Sequence, residues 1–434
     1  MNPSVNTTMT PTLAIPGTQS APAAKRSVRQ NFRWTAAGNA FQAACQWATV
    51  SALAKLSNAE TVGLYALGIA VTTPIFMLAQ LNLRSVLATD VTEAHTFQDY
   101  RALRLACMAL AMIFTAGFAV FGYSGTEAKI VFLAGLLQCV DLISDVYFGF
   151  LQQRERMDRI AISLVLRSAT SLVAMSLTMV VTQNLALSLL AAIACRVIVL
   201  FFYDARIATE DIVVPAARAQ TPGSPWIRQA QLFRTALPLG IVMAAGSLWG
   251  NIPRYFITHH LSTYALGIFA ALASLTSTGN MVVNALGQAA TPRLAKLFAV
   301  GDLPGFRRLT LHLCLLGAGL GLAGLAVALT IGPWVVSLLF RPEYAKEQYV
   351  LAYLCGAAGI GFVASMLGYV ITAARRFREQ IPIQIASVAV SAGTAFVMVP
   401  RMGLAGAAMA LASAPVVQVF GEWLVLHVAL KERE

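Results

Sequence analysis

The sequence predicts an all-α integral membrane protein, with twelve transmembrane helices in two six-helix lobes related by a pseudo-two-fold axis. Three observations carry this. The first is composition: 58% of the 434 residues are hydrophobic and 12% are charged, where a soluble globular chain carries about 25% charged residues. The second is that the apolar residues come in blocks of about 20, the length that crosses roughly 30 Å of hydrocarbon. The third is that the blocks of the first half resemble those of the second.

In order, the blocks lie near 34–54, 62–83, 102–122, 130–151, 160–182, 184–203, 235–257, 264–290, 309–331, 349–373, 381–399 and 403–428. Proline and glycine inside them do not break the assignment, because neighbouring helices satisfy the freed backbone groups in lipid. Basic residues fall almost entirely on one side. Lys25, Arg26, Arg29 and Arg33 precede span one; Arg84, Arg101 and Arg104 follow span two; Arg154, Arg156 and Arg159 follow span four. Arg206, Arg218, Arg228 and Arg234 follow span six, Arg293, Lys296, Arg307 and Arg308 follow span eight, and Arg375, Arg376 and Arg378 follow span ten. Lys431 and Arg433 end the chain, while the opposite loops hold only Lys55, Lys129, Arg341, Lys346 and Arg401. This asymmetry places both termini in the cytoplasm. The net charge of +12 is therefore a topology signal, and no nucleic-acid partner is expected.

The longest polar stretch between spans contains Pro215, Pro222, Gly223 and Pro225 and divides the spans six and six. The expected organisation is a disordered cytoplasmic tail (1–32), a first lobe (33–203), a cytoplasmic linker (204–233), a second lobe (234–430) and a cytoplasmic C-terminus (431–434). Residues 1–24 lack the basic segment and apolar core of a signal peptide. All six cysteines fall in predicted spans with no CxxC pair, so neither a disulfide frame nor a metal site is implied. No cofactor is expected. The chain has no GxxxxGK[ST], HExxH or GxSxG motif, so nothing in it points to an enzyme.

The internal repeat is visible after span one and after span seven. LSNAETVGLYALG from Leu56 aligns with LSTYALGIFAAL from Leu261, bringing Gly63 onto Gly267 and Tyr65 onto Phe269. Arg154-Glu155-Arg156 before span five aligns with Arg376-Phe377-Arg378 before span eleven. An even number of spans per repeat gives both halves the same orientation, with the symmetry axis along the membrane normal.

Polar stripes at helical spacing mark helices that face water or bond one another. Span one carries Thr35, Asn39, Gln42, Gln46 and Thr49; span two carries Thr73, Gln80 and Arg84. Span seven carries Ser247, Asn251 and Arg254; span eight carries Ser277, Asn280, Asn284 and Gln288. These are equivalent helices of the two repeats, which favours a shared cavity. Span nine instead carries Gly317, Gly319, Gly321 and Gly324, a pattern for close helix contact. The candidate substrate-binding residues are Arg254, Asn251, Arg84, Arg33, Asn39, Gln42, Gln46, Asn284 and Gln288. The planar guanidinium of Arg254 suits phosphate oxygens, and Arg33 and Arg84 stand at the cytoplasmic mouths. Asp141, Asp145, Arg167 and Arg196 lie at similar depth in the first half. They read either as structural ion pairs or as an ion-coupling site. Glu422 in span twelve stands alone, and His259-His260 read as loop residues.

At this point the chain resembles the bacterial O-antigen or capsule repeat-unit flippases of the multidrug/oligosaccharidyl-lipid/polysaccharide exporter superfamily. The resembling segments include residues 53–70, LNLRSVLATD (81–90), GFLQQRERMD (149–158), GNIPRYFI (250–257), NALGQAATPRLAKLF (284–298), LFRPEYA (339–345) and VPRMGLAGAAMA (399–410). The resemblance implies a V-shaped pair of lobes working by alternating access. It implies a bacterial inner-membrane protein that captures an undecaprenyl-diphosphate-type lipid-linked oligosaccharide in the cytoplasmic leaflet and releases it on the periplasmic side. The bilayer lipid would hold the tail. A polysaccharide polymerase and a chain-length regulator are the implied protein partners. Twelve spans disfavour a peptidoglycan-precursor role, since lipid II flippases of the superfamily carry extra helices. A proton- or sodium-coupled exporter of organic cations remains the alternative.

Overall fold

The computed structural model describes residues 28–89, 95–207, 224–374 and 376–432. Most of the expected tail, the central part of the linker and the last two residues lie outside these.

Among the described residues the chain forms twelve long helices. In order they are Val28–Leu56, Ala59–Gln80 (continued after a break by Leu83–Thr89), Phe97–Gly122, Gly125–Gln153, Met157–Thr182 and Leu185–Val199, the last extended by a π-helical turn, Leu200–Ala205. The second half comprises Pro225–His260, Thr263–Val300, Leu303–Thr330, Gln348–Ala373, Phe377–Met402 and Leu404–Lys431. These are spans one to twelve. Two short helices, Gly332–Leu339 and Pro342–Ala345, lie between spans nine and ten.

Eleven of the twelve are long and apolar enough to cross a membrane. Span one is the exception, although it is 29 residues long. Its Asn39, Gln42 and Gln46, the stripe expected from sequence, dilute its apolarity.

Local chemistry sets the helix ends. Asn58 Oδ1 accepts from Thr61 N–H at 2.9 Å to start span two. Thr96 and Asp99 form a reciprocal capping box at span three. Ser262 caps span eight and Asp302 caps span nine. Leu81 and Asn82, both at positive φ, break span two before Arg84.

The repeat is visible in the backbone. Gly63 and Gly267, paired by sequence, face each other where spans two and eight cross. A Cβ at Gly63 would overlap the Thr263 carbonyl, and a Cβ at Gly267 would overlap the Ala59 carbonyl. The two overlaps are mirror images, four residues back in each helix, as a two-fold axis through the crossing requires. The entries to spans five and eleven match as well. Arg156 lies at φ −93°, ψ 56° and Arg376 at φ −92°, ψ 52°. Each donates its backbone N–H five residues back, to Leu151 and Ile371. This corrects the register read from sequence: Arg156 answers to Arg376, not to Arg378. Arginines two apart in both segments make the wrong alignment look equally good.

The halves meet most extensively at the side opposite the termini, here called the far side; the termini mark the basic side. Span eight is continuously buried from Leu266 to Leu272 at its far end. Nearby, Ser51 Oγ donates to the Leu339 carbonyl at 3.0 Å, Arg341 Nε to the Lys55 carbonyl at 3.2 Å, and Thr263 Oγ1 to Glu127 at 3.1 Å. Beyond Ser277 the only buried residues of span eight are Val283, Gly287, Leu294 and Phe298. These pack on spans nine and ten. Most of the rest of its basic half is exposed. Among the described residues the halves stay joined on the basic side along span seven, through Gly240 against Leu78 and Leu81, through Leu232 and Ala236 in one cluster with Leu83, Tyr100 and Phe150, and through Arg228 against Asp99, with Nε–Oδ2 at 3.1 Å.

Candidate functional site

The far-side closure and the basic-side divergence leave the polar faces of spans one, seven and eight bordering open space. Span seven is the clearest case. Ser247, Asn251 and Arg254 follow one another along it, and a Cβ at Gly246 or Gly250 would meet nothing within 4 Å. Asn251 is buried and donates to the Ser247 carbonyl at 2.9 Å, which aims its Oδ1 at Arg254; the Nη1 donates to it at 3.2 Å. Arg254 Nε is buried without a hydrogen-bond partner. Among the described residues no carboxylate pairs with Arg254. The neighbouring Tyr255 hydroxyl donates to the Ala70 carbonyl of span two at 2.5 Å, which fixes the rotation of span seven. A cation so placed, with spare donors, suits an anion.

The other predicted lining residues divide. Asn39 and Gln46 are exposed on span one, Gln42 is half-buried and Arg33 is exposed at its basic end. The threonines of that stripe bond their own helix: Thr35 to the Asn31 carbonyl and Thr49 to the Cys45 carbonyl. On span eight Asn280 and Gln288 are exposed, and Asn284 Oδ1 accepts from the Tyr369 hydroxyl at 3.2 Å.

Span two differs. Its Gln80 donates to Asp145 at 3.4 Å, and Arg84 donates to Gln152 at 2.9 Å and lies 3.7 Å from Asp145. Its stripe turns into the first half rather than toward span seven.

The predicted four-charge network is two networks. Asp141 is held between Arg167 and Arg196. Asp145 is held between Arg104, at 3.0 Å, and Arg84. Arg104 is 1% exposed and also donates to the Gln80 carbonyl at 2.8 Å. Sequence reasoning set it among the loop charges because Arg101 lies one turn earlier; its partner is 41 positions away, so spacing held no signal. Asp204 was missed for the same reason. It is buried in the π-helical turn and accepts from Ser163 at 2.5 Å. His259 and His260, expected in a loop, form the last turn of span seven at its far end, where His260 stacks on Phe256. Of the span-nine glycines, Gly317 and Gly321 press on Phe362 and Gly359 of span ten; Gly319 and Gly324 touch nothing.

Among the described residues no group of three or more His, Cys, Asp or Glu is placed to hold a metal ion.

The model of the polysaccharide biosynthesis protein family matches residues 28–298, more than half of the chain. The chain belongs to that family. One relative within reach of this family member is the capsular polysaccharide biosynthesis protein CapF of Staphylococcus aureus, 24% identical over 393 residues and covering 88% of this chain and 95% of CapF. Two solved structures share the fold. An inward-facing multidrug resistance MATE family transporter of the MOP superfamily superposes with a TM-score of 0.73 at 14% identity, covering 90% of this chain and 95% of that one. The lipid II flippase MurJ in an inward closed conformation gives 0.70 at 8% identity, covering 90% and 86%. The polysaccharide family member is thus a multi-pass membrane protein with the two-lobed fold of these transporters.

Proposed function

We propose that this protein flips a polyprenyl-diphosphate-linked oligosaccharide repeat unit from the cytoplasmic to the periplasmic leaflet of a bacterial inner membrane, by alternating access. The basic side is the cytoplasmic side, and residues 33–203 and 234–430 are the two moving lobes. Family membership and the likeness to CapF support a surface-polysaccharide role, whether for O-antigen, capsule or exopolysaccharide. The observation that carries the substrate chemistry is Arg254: a guanidinium inside span seven, with a buried Nε lacking a partner and no carboxylate to neutralise it. A diphosphate supplies what it lacks. Asn251 orients it, while Asn39, Gln42, Gln46, Asn284 and Gln288 offer hydrogen bonds to the sugars. Arg33 meets the headgroup at the cytoplasmic mouth; Arg84 contributes from the edge of the first-half network.

The cation-exporter reading rests on the MATE likeness in fold. It needs an acid free to meet the cargo, and Asp141 and Asp145 are each already held between two arginines. The experiment is a chromosomal Arg254→Ala exchange. Surface polysaccharide is lost while the protein accumulates in the membrane near its normal level. Normal polymer in that strain would remove Arg254 from the site.

A further inference from the structure

The second half buries one acid that no part of this mechanism uses. Glu422 is 5% exposed, and its Oε2 is buried with no hydrogen-bond donor. Its other oxygen lies against span ten, where a Cβ at Gly368 would stand 3.4 Å from Oε1.

Its surroundings are uncharged on every packed element. Span nine presents the Cys314 thiol. Span ten presents Gly368 and, one turn on, Thr372. Span eleven presents Gln380, which bonds the Gly368 carbonyl at 3.4 Å and Thr372 at 3.3 Å, and Gln384, which pairs with Gln418 of span twelve at 3.3 Å. Span seven, which also packs on span twelve, turns the Arg254 stripe to open space, and among the described residues no cation forms an ion pair with Glu422. An ionised carboxylate with no counter-charge and an orphaned oxygen is far costlier here than a neutral acid.

Glu422 is also one layer behind the cavity wall. Tyr369 follows Gly368 directly; its ring packs over Gly287 of span eight and its hydroxyl donates to Asn284. Movement of span eight therefore moves the wall against which Glu422 rests.

We propose that Glu422 is a proton-carrying site: it takes up a proton from the far side when that side is open, holds it on return to the basic-side-open form, and releases it to the basic side when spans eight and ten rearrange and water or a donor reaches it. The ligand is a proton, and no metal is involved. Resting on the flippase reading, the proposal makes transport an exchange of one proton inward for one lipid-linked oligosaccharide outward.

The test uses purified full-length protein in liposomes carrying a fluorescent polyprenyl-diphosphate oligosaccharide, with wild type and E422Q compared at symmetrical pH and with the far side acidic. The gradient should raise the wild-type ratio of substrate between leaflets by up to about tenfold per pH unit for one proton carried. E422Q should flip at symmetrical pH and show no gradient response. A second arm records infrared difference spectra of the same liposomes between acid and alkaline pH. A protonated-carboxyl band present in wild type and missing in E422Q supports the assignment. A full gradient response in E422Q, an unchanged band in E422Q, or acceleration by sodium but not by protons would each overturn it. If wild type moves no lipid-linked oligosaccharide, the flippase reading fails, and the infrared arm still decides whether Glu422 binds the proton.

Discussion

The two halves share a backbone and differ in how they treat buried charge. In the register fixed by Arg156 and Arg376, the positions of Asp141 and Asp145 are taken by Gly361 and Ser365, and those of Arg167 and Arg196 by Ser387 and Val416. The first half holds the half-buried Asp141 and Asp145 between pairs of arginines from spans three, five and six and from the segment after span two, beside a buried Asp204 bonded to Ser163. Among the described residues the second half buries a single acid, Glu422, near glutamines. Such saturated ion pairs hold helices in one arrangement, whereas an unpaired acid is sensitive to any change in its surroundings. The difference reads as a division of labour: a rigid first lobe and a second lobe whose packing responds to the cavity.

The sharpest way to break that comparison is to remove Arg104. Arg104→Met removes the buried partner of Asp145 but leaves it Arg84 and Gln80, so the loss should reach about 3 kcal/mol, the low end for a broken buried pair. Thermal unfolding in detergent should show a large fall in Tm, and an unchanged Tm would mean that the first lobe is not held by this network. The crossing glycines come next. Gly63→Ala and Gly267→Ala should each cost about 1–3 kcal/mol by overpacking and reduce transport together, because each meets the other helix's backbone. Strongly unequal effects would show that the two helices do not share the crossing symmetrically. Arg254→Ala should change stability by less than about 1 kcal/mol while transport is lost, since its one described side-chain bond is to Asn251. Glu422→Gln should be smallest in stability, within about 1 kcal/mol, because a neutral amide replaces a neutral acid; a large loss of Tm would mean that the carboxyl makes a contact an amide cannot.

Much of the fold was legible in the sequence, because lipid imposes length and apolarity on every span. The equivalence of Gly63 and Gly267 was legible too, from the aligned repeat segments, whereas their meeting at the helix crossing was not. What was lost is informative. Span one fell short in apolarity because the amides that make it a cavity candidate are what dilute it. Arg104 was read as a loop charge because a positive-inside count treats every arginine near a span end alike. The stripe on span two looked like a cavity face, yet Gln80 and Arg84 turn toward Asp145, a partner that helical periodicity within one helix cannot show. Arg254 was found because an arginine deep in an apolar block is conspicuous by itself.

The most direct test of the central claim is the flipping assay with wild-type protein and Arg254→Ala side by side. A fluorescent polyprenyl-diphosphate oligosaccharide is placed in both leaflets, and its protection from an external quencher is followed. The predicted result is protein-dependent loss of protection with wild type, abolished in Arg254→Ala although that variant reconstitutes and melts normally. Protection retained with wild type, alongside gradient-driven movement of an organic cation, would contradict the account and place the protein with the cation exporters.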